Sequence, residues 1–217
     1  MTQLAENAAA QRKDDRISRR QVDKFAERRA QLADSALLTL SELGYARTSL
    51  REIAQNSDFS HGVLHYYFRD KVDLITHCVR EYKARCVKRY DEIVATARTA
   101  DDLRTSFAAG LAQTMVDDAA LHRLWYDLRS QSMFELPFRE DVAAIDESLE
   151  RMIWRIVSRY AELLDTSTAV SSDTAYGLLD GLFQHGLLRH LFGESSAAAN
   201  LTAQVEQILP TLVQAKA

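Results

Sequence analysis

Prolines, glycines and cysteines are scarce in this sequence, and long apolar runs are missing. Two prolines and seven glycines among 217 residues leave few points at which a helix must break. Ala, Leu, Arg and Glu are plentiful, and these helix formers favour a nearly all-helical chain. No stretch approaches the roughly 18 apolar residues of a membrane span, and residues 1 to 20 lack the apolar core of a signal peptide. We therefore expect a cytoplasmic protein without membrane partners.

The two cysteines give no sign of a disulfide or a metal site. Cys78 and Cys86 are eight positions apart in one predicted helix, a separation of about 12 Å that is too long for a disulfide between them. His77 and Cys78 are adjacent, so they point about 100° apart on the helix, and no second ligand pair follows. A nucleophile elbow and a phosphate loop are also missing. The sequence predicts reduced thiols, no metal, no cofactor and no enzymatic activity.

Charge is distributed unevenly along the chain, whose net charge is −4. Residues 1 to 71 hold 12 Lys or Arg against 10 Asp or Glu, whereas residues 72 to 217 hold 15 against 21. Eight basic residues lie between positions 12 and 29: Arg12, Lys13, Arg16, Arg19, Arg20, Lys24, Arg28 and Arg29. A basic end on an acidic body is typical of contact with a phosphate backbone. A solvated tail would carry the same charges, so charge alone leaves both interpretations open.

Helical periodicity begins after a polar segment. Residues 1 to 21 are rich in Ala, Gln and Arg and predict a flexible basic N-terminal arm. A helix from about 22 to 43 follows, and Gly44 is a natural stop for it. Its apolar positions have the spacing of one buried face: Val22, Phe25, Ala26, Leu32, Ala33, Ala36, Leu37, Leu40 and Leu43.

Capping residues mark the next three helices. Ser49 with Glu52 forms a capping-box pattern for a short helix at about 49 to 56. Ser60 caps a helix at about 60 to 67, and Asp70 caps a long one at about 70 to 97. Further helices are predicted at about 100 to 117, 119 to 135, 138 to 164, 172 to 192 and 197 to 214, with Pro137 near the start of the third of these.

The segment from residue 44 to 75 reads GYARTSLREIAQNSDFSHGVLHYYFRDKVDLI. It resembles the DNA-binding segment of TetR/AcrR-family transcriptional regulators. The positions that match, in order, are Gly44, Tyr45, Thr48, Ile53, Ala54, Ser60, Gly62, Leu64, Tyr67, Phe68, Lys71 and Leu74. The sequence departs from that pattern at His65, where Tyr is usual, and at Asp58–Phe59 in the turn. The later two-thirds of the chain resembles the family only in length and helicity.

The resemblance implies a three-helix helix-turn-helix domain over residues 22 to 71 and a larger helical domain over residues 72 to 217. Two short helices joined by a tight turn place the second helix in the major groove. The expected DNA-binding residues are Arg28, Thr48, Ser49, Ser60, His61, Gly62, His65, Tyr66 and Lys71. His61 and Tyr66 are the candidates for base edges, while Lys71 and the caps would hold phosphates. The helix at about 60 to 67 is not expected to be fully buried, because the polar atoms of its His and Tyr side chains would each need a hydrogen-bond partner.

The same resemblance implies that the larger domain binds a small-molecule effector and pairs with a second copy of the chain. The expected dimer interface is Gly177, Leu178, Gly181, Leu182, His185 and Leu188. Gly177, Gly181 and Gly186 are spaced by four and five positions, and small residues allow helices to approach closely. Packing within one subunit is the alternative. The expected effector pocket is Met115, Trp125, Tyr126, Arg129, Met133, Phe134, Trp154, Phe183 and Gln184, with ordinary core packing as the alternative for each aromatic residue.

The resemblance therefore implies a homodimeric repressor that an unknown small molecule releases from a palindromic operator in double-stranded DNA. The long helix that starts at Asp70 would transmit the change, because it begins beside the DNA contacts and runs into the larger domain. The alternative is a helical protein-binding adaptor with a degenerate helix-turn-helix. The basic stretch before residue 30 and Lys71 favour DNA over that alternative.

Overall fold

The computed structural model describes residues 2–44, 48–57 and 59–215, with side chains from residue 22 onward except Leu38. The described ranges are all-helical, as the sequence predicts. The α-helices are α1 (Thr2–Leu43), α2 (Leu50–Gln55), α3 (His61–Tyr67), α4 (Lys71–Thr96), α5 (Ala100–Asp117), α6 (Ala119–Gln131), α7 (Arg139–Leu163), α8 (Ser172–Leu191) and α9 (Ala197–Ile208). Tyr45, which matches the family pattern, and Asp58, which departs from it, lie outside the described residues, as do the side chains of the basic residues from Arg12 to Arg20.

Helix α1 differs from the prediction at its start and in its buried face. It begins at Thr2 rather than near residue 22, because no Gly or Pro interrupts an Ala-rich stretch of strong helix formers. Val22, Phe25 and Ala26 are exposed, and the buried face begins only at Leu32, where α1 packs against α4 and α6. Gly44 ends the helix as predicted, with φ +75° and its N–H 2.8 Å from the Leu40 carbonyl.

The caps of the next three helices form as the sequence predicts. Ser49 accepts a hydrogen bond from the Glu52 N–H, and the Glu52 carboxylate accepts one from the Ser49 N–H. Ser60 accepts from the Val63 N–H, and Asp70 accepts from the Asp73 N–H. These caps fix the points at which the chain turns, and so they set the angle at which α3 leaves α2.

The remaining helices form the larger bundle, in which α4, α5, α7, α8 and α9 pack closely. Helix α6 ends at Gln131, and Pro137 lies in a 3-10 turn, Leu136–Phe138, just before α7. Helix α9 ends at Ile208, earlier than predicted, because Pro210 places the chain in a second 3-10 turn, Leu209–Leu212. Across the described part of the chain, every helix is too short or too polar to cross a bilayer.

Candidate DNA-binding surface and effector cavity

Helix α3 has one buried side and one exposed side. Leu64 and the residue after the helix, Phe68, are fully buried and anchor α3 to the core. His61, Gly62, His65 and Tyr66 are all exposed, and their spacing of four positions puts them on one face. These four residues, two pairs one helical turn apart, give α3 an outward surface that can hydrogen-bond to a partner.

The rings on this face are held by contacts with one another. His61 and His65 have ring nitrogens 3.2 Å apart and ring centres 4.4 Å apart. Tyr66 is 72% exposed, and its ring meets Phe25 of α1 edge-on with centres 6.0 Å apart. Tyr67 packs against Phe25 at 4.7 Å and is half-buried. Phe25 therefore orients the tyrosines of α3, although the sequence alone suggests a core role for it.

The other expected DNA contacts are placed less uniformly. Ser49 and Ser60 are exposed, Lys71 is half-exposed at the start of α4, and the Arg28 guanidinium lies 4.8 Å from the centre of the Phe59 ring. Thr48 is buried, and its hydroxyl donates to the Gly44 carbonyl at 2.6 Å. The structure thus leaves Ser49, Ser60 and Arg28 accessible to a partner, but it gives the Thr48 side chain a structural partner inside the domain.

An ion-pair cluster that the sequence analysis missed fixes α1 to the corner between α3 and α4. The Asp73 carboxylate lies 2.5 Å from the Arg29 guanidinium and accepts the Arg69 N–H at 3.0 Å. The Arg29 guanidinium also lies 4.8 Å from the centre of the buried Phe68 ring. An acid three residues after the Asp70 cap is the only sequence signal for this contact, and it does not name the partner on α1.

A cavity of about 50 Å³ lies inside the larger bundle. Helices α4, α5, α6, α7 and α8 all contribute to its wall, which is mostly apolar or aromatic. The lining residues are Lys83, Cys86, Tyr90, Leu111, Thr114, His122, Trp125, Tyr126, Leu149, Met152, Ile153, Tyr176, Leu179, Asp180 and Phe183. A space of this size holds a few water molecules, so a larger ligand needs the helices to separate.

A buried basic cluster lies on the α4 and α6 sides of this cavity. The Lys83 ammonium nitrogen is 3.1 Å from Nδ1 of His122, and the Tyr82 hydroxyl is 3.0 Å from Nε2 of the same ring. Burial lowers the pKa of Lys83 to about 8. Burial, reinforced by the charge of Lys83, lowers the pKa of His122 well below its usual value. His122 is therefore neutral and Lys83 is the charged member of the cluster at neutral pH.

A second polar network closes the cavity beside α8. Arg129 of α6 pairs with both Asp180 and Asp146, which also accept hydrogen bonds from the hydroxyls of Tyr126 and Tyr176. Burial, followed by the charge of Asp180, raises the pKa of both tyrosines above the usual range. Each acid in this network is thus engaged by a cation and a phenol, and both tyrosines stay protonated as donors.

The structure brings only some of the expected pocket residues to the cavity. Trp125, Tyr126 and Phe183 line it, and Arg129 lies at its edge. Met115 is buried against α8, Trp154 is half-buried, and Met133, Phe134 and Gln184 are exposed. Met133 and Phe134 follow the end of α6, where the chain leaves the bundle, so their apolar character does not take them inside. Lys83 and His122 were missed, because a single Lys or His in a polar helix gives no sign of burial.

The outer face of α8 carries the residues expected at a dimer interface. Gly177, Gly181 and His185 are exposed, Leu178 and Leu188 are 44% and 46% exposed, and Leu182 is half-buried. Added Cβ atoms at Gly177 and Gly181 would meet nothing within 4 Å in the part of the chain that the structure describes. Gly186 differs, because its Cβ would lie 3.2 Å from the Met115 sulfur; this glycine serves packing inside the subunit and not an external face.

Known proteins resemble this chain both in the helix-turn-helix segment and along most of its length. Residues 32–78 match the family model for bacterial regulatory proteins of the tetR family. The transcriptional regulator BetI of Paraburkholderia phymatum is 29% identical over 166 residues, covering 74% of this chain and 82% of the relative. BetI of Burkholderia mallei is 28% identical over 188 residues, covering 84% and 93%.

Solved structures match along most of the chain at low identity. The regulator FadR from Bacillus subtilis, in complex with stearoyl-CoA, has a TM-score of 0.68 and 18% identity, covering 85% of this chain and 98% of its own. A Saccharomonospora viridis protein in complex with choline has a TM-score of 0.67 and 14% identity, covering 88% and 100%. At such identities the likeness concerns the fold.

Proposed function

The chain belongs to the TetR family of bacterial transcriptional regulators, and from that premise we propose that it is a homodimeric repressor released from a palindromic operator by a small molecule. The exposed face of α3 carries the proposal. Its buried side packs into the core through Leu64 and Phe68, whereas its outward residues are exposed, and Tyr66 stays 72% exposed although the Phe25 ring of α1 touches it. Such a face on the second helix of a helix-turn-helix is suited to the major groove.

Within this face, the proposed roles follow exposure and chemistry. Tyr66 and His61 present hydrogen-bonding tips beyond the helix and would contact base edges. Gly62 would let the α3 backbone approach the DNA, because no described residue fills the space beside it. Ser49, Ser60 and Lys71 would hold phosphates and set the register. We assign the DNA-binding domain to residues 22–71 and the effector and dimerisation domain to residues 72–217.

A second copy of the chain would dock on the outer face of α8, together with α9. The open surface at Gly177 and Gly181 admits a partner helix at close range, and Leu178 and Leu188 supply apolar area. A two-fold symmetric pair would present two α3 helices to half-sites about 34 Å apart, one turn of DNA. This symmetry is the reason for expecting a palindromic operator.

The effector cavity is connected to the DNA-binding domain by α4 and α6. Helix α4 carries Lys83 in the cavity wall, and it carries Asp73, which pairs with Arg29 of α1. Helix α6 carries Trp125 in the same wall, and its Arg123 side chain donates to the Ser41 carbonyl near the end of α1. A ligand that separates α4 from α6 would therefore pull on two attachments of α1.

The proposed mechanism is a shift between two populations. The small cavity belongs to the conformation in which α4 and α6 are close, and a ligand larger than a few waters favours the separated one. If the two conformations hold the α3 helices of the dimer at different distances, only one matches successive major grooves. The ligand then weakens DNA binding by its preference for the other conformation.

Selection of bound fragments from sheared genomic DNA tests this function. The purified chain is mixed with fragments of its own genome, with and without a small-molecule extract of the same cells. Enrichment of a palindromic site that is lost on adding extract is the expected result. A site that stays bound in the extract would contradict release by a ligand, and no enrichment at any salt concentration would favour the protein-binding adaptor.

A further inference from the structure

Two charged residues line the cavity, Lys83 and Asp180. Asp180 is paired with Arg129, whereas the direct hydrogen-bond partner of Lys83 is the neutral His122. We infer that the effector is an organic acid, an apolar molecule whose carboxylate is held by Lys83 and whose body lies among the apolar wall residues. This inference rests on the proposed function and names the chemical class of the ligand. It assigns Lys83 as the residue that selects the ligand by charge.

The ammonium group of Lys83 has no carboxylate partner among the described residues. The Lys83 side chain is 6% exposed, and its ammonium group contacts His122, which is itself neutral. Within the described residues, no carboxylate reaches ion-pair distance of this ammonium group. A buried ammonium without an opposite charge is costly, and a ligand carboxylate at this place would supply the missing charge and accept its protons.

The acids nearest to the cavity are already engaged by other residues. Asp180 and Asp146 share Arg129 and the two tyrosine hydroxyls, and Asp118 pairs with Arg89. These acids act on Lys83 only at a distance. They are also poor binding partners for a cationic ligand, because such a ligand would have to displace Arg129 or Arg89.

The aromatic wall points to the same sign of ligand charge. The Lys83 nitrogen lies 5.4 Å from the centre of the Trp125 ring, where a ligand ammonium would otherwise bind against the face of the ring. The buried Trp125 indole N–H has no hydrogen-bond partner among the described residues. Lys83 and Trp125 are both donors, so together they suit an acceptor such as a carboxylate, and Leu111, Leu149 and Met152 suit its apolar body.

Affinity for an acid should depend on pH through Lys83. The groups around it are His122 and Trp125 of α6, Tyr82 and Cys86 of α4, and three more distant acids, Asp118, Asp146 and Asp180. The pKa of Lys83 is about 8 in the ligand-free chain. Above that pH the site loses its charge, so the affinity should fall about tenfold per pH unit.

Paired probes test this inference on the full-length chain. Straight-chain monocarboxylates from butanoate to decanoate are compared with alkyltrimethylammonium ions of the same chain lengths, by calorimetry and by the shift in melting temperature. We expect at least one carboxylate to bind and stabilise the chain, and the ammonium ions to have no effect. The inference would be overturned if the ammonium ions stabilise the chain, or if every carboxylate in the series fails to do so.

Two lysine substitutions on α4 separate charge recognition from apolar binding. Lys83→Met keeps an unbranched side chain, one heavy atom shorter, and removes its charge. It should weaken carboxylate binding about 10- to 100-fold. Lys88→Met, at an exposed position of the same helix, should bind like the parent chain. Equal binding by all three chains would refute the role of Lys83. DNA affinity is measured in parallel without any carboxylate or ammonium probe. A parent chain that binds no DNA would refute the proposed function, whereas a parent chain that binds DNA but no carboxylate would refute only this inference.

Discussion

Gly62 shows how a single residue can be suited to a partner rather than to the fold. A Cβ added there would meet no atom of the described residues within 4 Å, and the residue is exposed in the first turn of α3. Gly44 is different, because its φ of +75° requires a residue that tolerates the left-handed region. The sequence identified both glycines, but only the structure separates the one that ends a helix from the one that leaves a surface open.

Gly62→Ala should therefore separate stability from DNA binding. The free energy of unfolding should stay the same or rise by up to about 1 kcal/mol, because Ala is the better helix former. Affinity for the selected operator should fall, because the new methyl group occupies the approach of the DNA backbone. Thermal unfolding and fluorescence anisotropy measure the two effects, and unchanged operator affinity would show that the DNA does not come close at Gly62.

Burial of Lys83 should make the stability of the ligand-free chain depend on pH. Its pKa falls from 10.5 to about 8 on folding, so the unfolded chain binds one more proton between these values and stability rises with pH there. Relative to Lys83→Met, the parent chain should gain about 2 kcal/mol between pH 8 and pH 9.5. Comparing the two chains cancels the tyrosines that titrate at higher pH. Urea unfolding at several pH values measures the difference, and parallel curves would contradict a buried, titrating Lys83.

At the scale of elements, the attachment of α1 to α4 joins the two halves of the molecule. Arg29 of α1 pairs with Asp73, the Cys78 thiol donates to the Ala33 carbonyl, and Arg85 pairs with Asp34. The capping residues predicted where α2, α3 and α4 begin, because caps are local. The start of α1 and its short buried face were not predictable in this way, since they depend on which elements pack against it.

Asp73→Asn should loosen this attachment. The substitution removes the charge that pairs with the part-buried Arg29, and we expect a loss of about 1–3 kcal/mol in the free energy of unfolding. Asp101→Asn is the matched control, because Asp101 also lies in the first turn of a helix and pairs with an arginine, but is exposed. It should cost under about 1 kcal/mol. Equal losses would argue that the Arg29–Asp73 pair does not hold α1.

At the scale of the whole molecule, α8 has an inner and an outer face. Tyr176, Leu179, Asp180 and Phe183 line the cavity, while Gly177, Leu178, Gly181 and Leu188 face outward. The periodicity along one helix predicted that these small and apolar residues share a face, and the structure exposes them; their role in a dimer interface stays a prediction. The sequence predicted the cavity poorly, because five helices meet there and the burial of Lys83 and His122 depends on all of them.

Leu188→Glu should break the proposed dimer. Leu188 is exposed in the single subunit, so a charged residue there costs little stability but would be buried without a partner between two copies. Sedimentation should show a dimer for the parent chain and a monomer for the variant. Val22→Glu makes the same change at another exposed apolar position and should stay dimeric. A variant at Leu188 that still sediments as a dimer would place the interface elsewhere.

We propose that the exposed face of α3 reads a DNA sequence. The most direct measurement is the affinity of Tyr66→Ala, His61→Ala and Lys71→Ala for the selected operator and for random DNA of the same length and salt. The first two variants should lose about 1–3 kcal/mol on the operator and much less on random DNA, whereas Lys71→Ala should weaken both alike. Equal losses on operator and random DNA for all three variants would contradict sequence reading by α3.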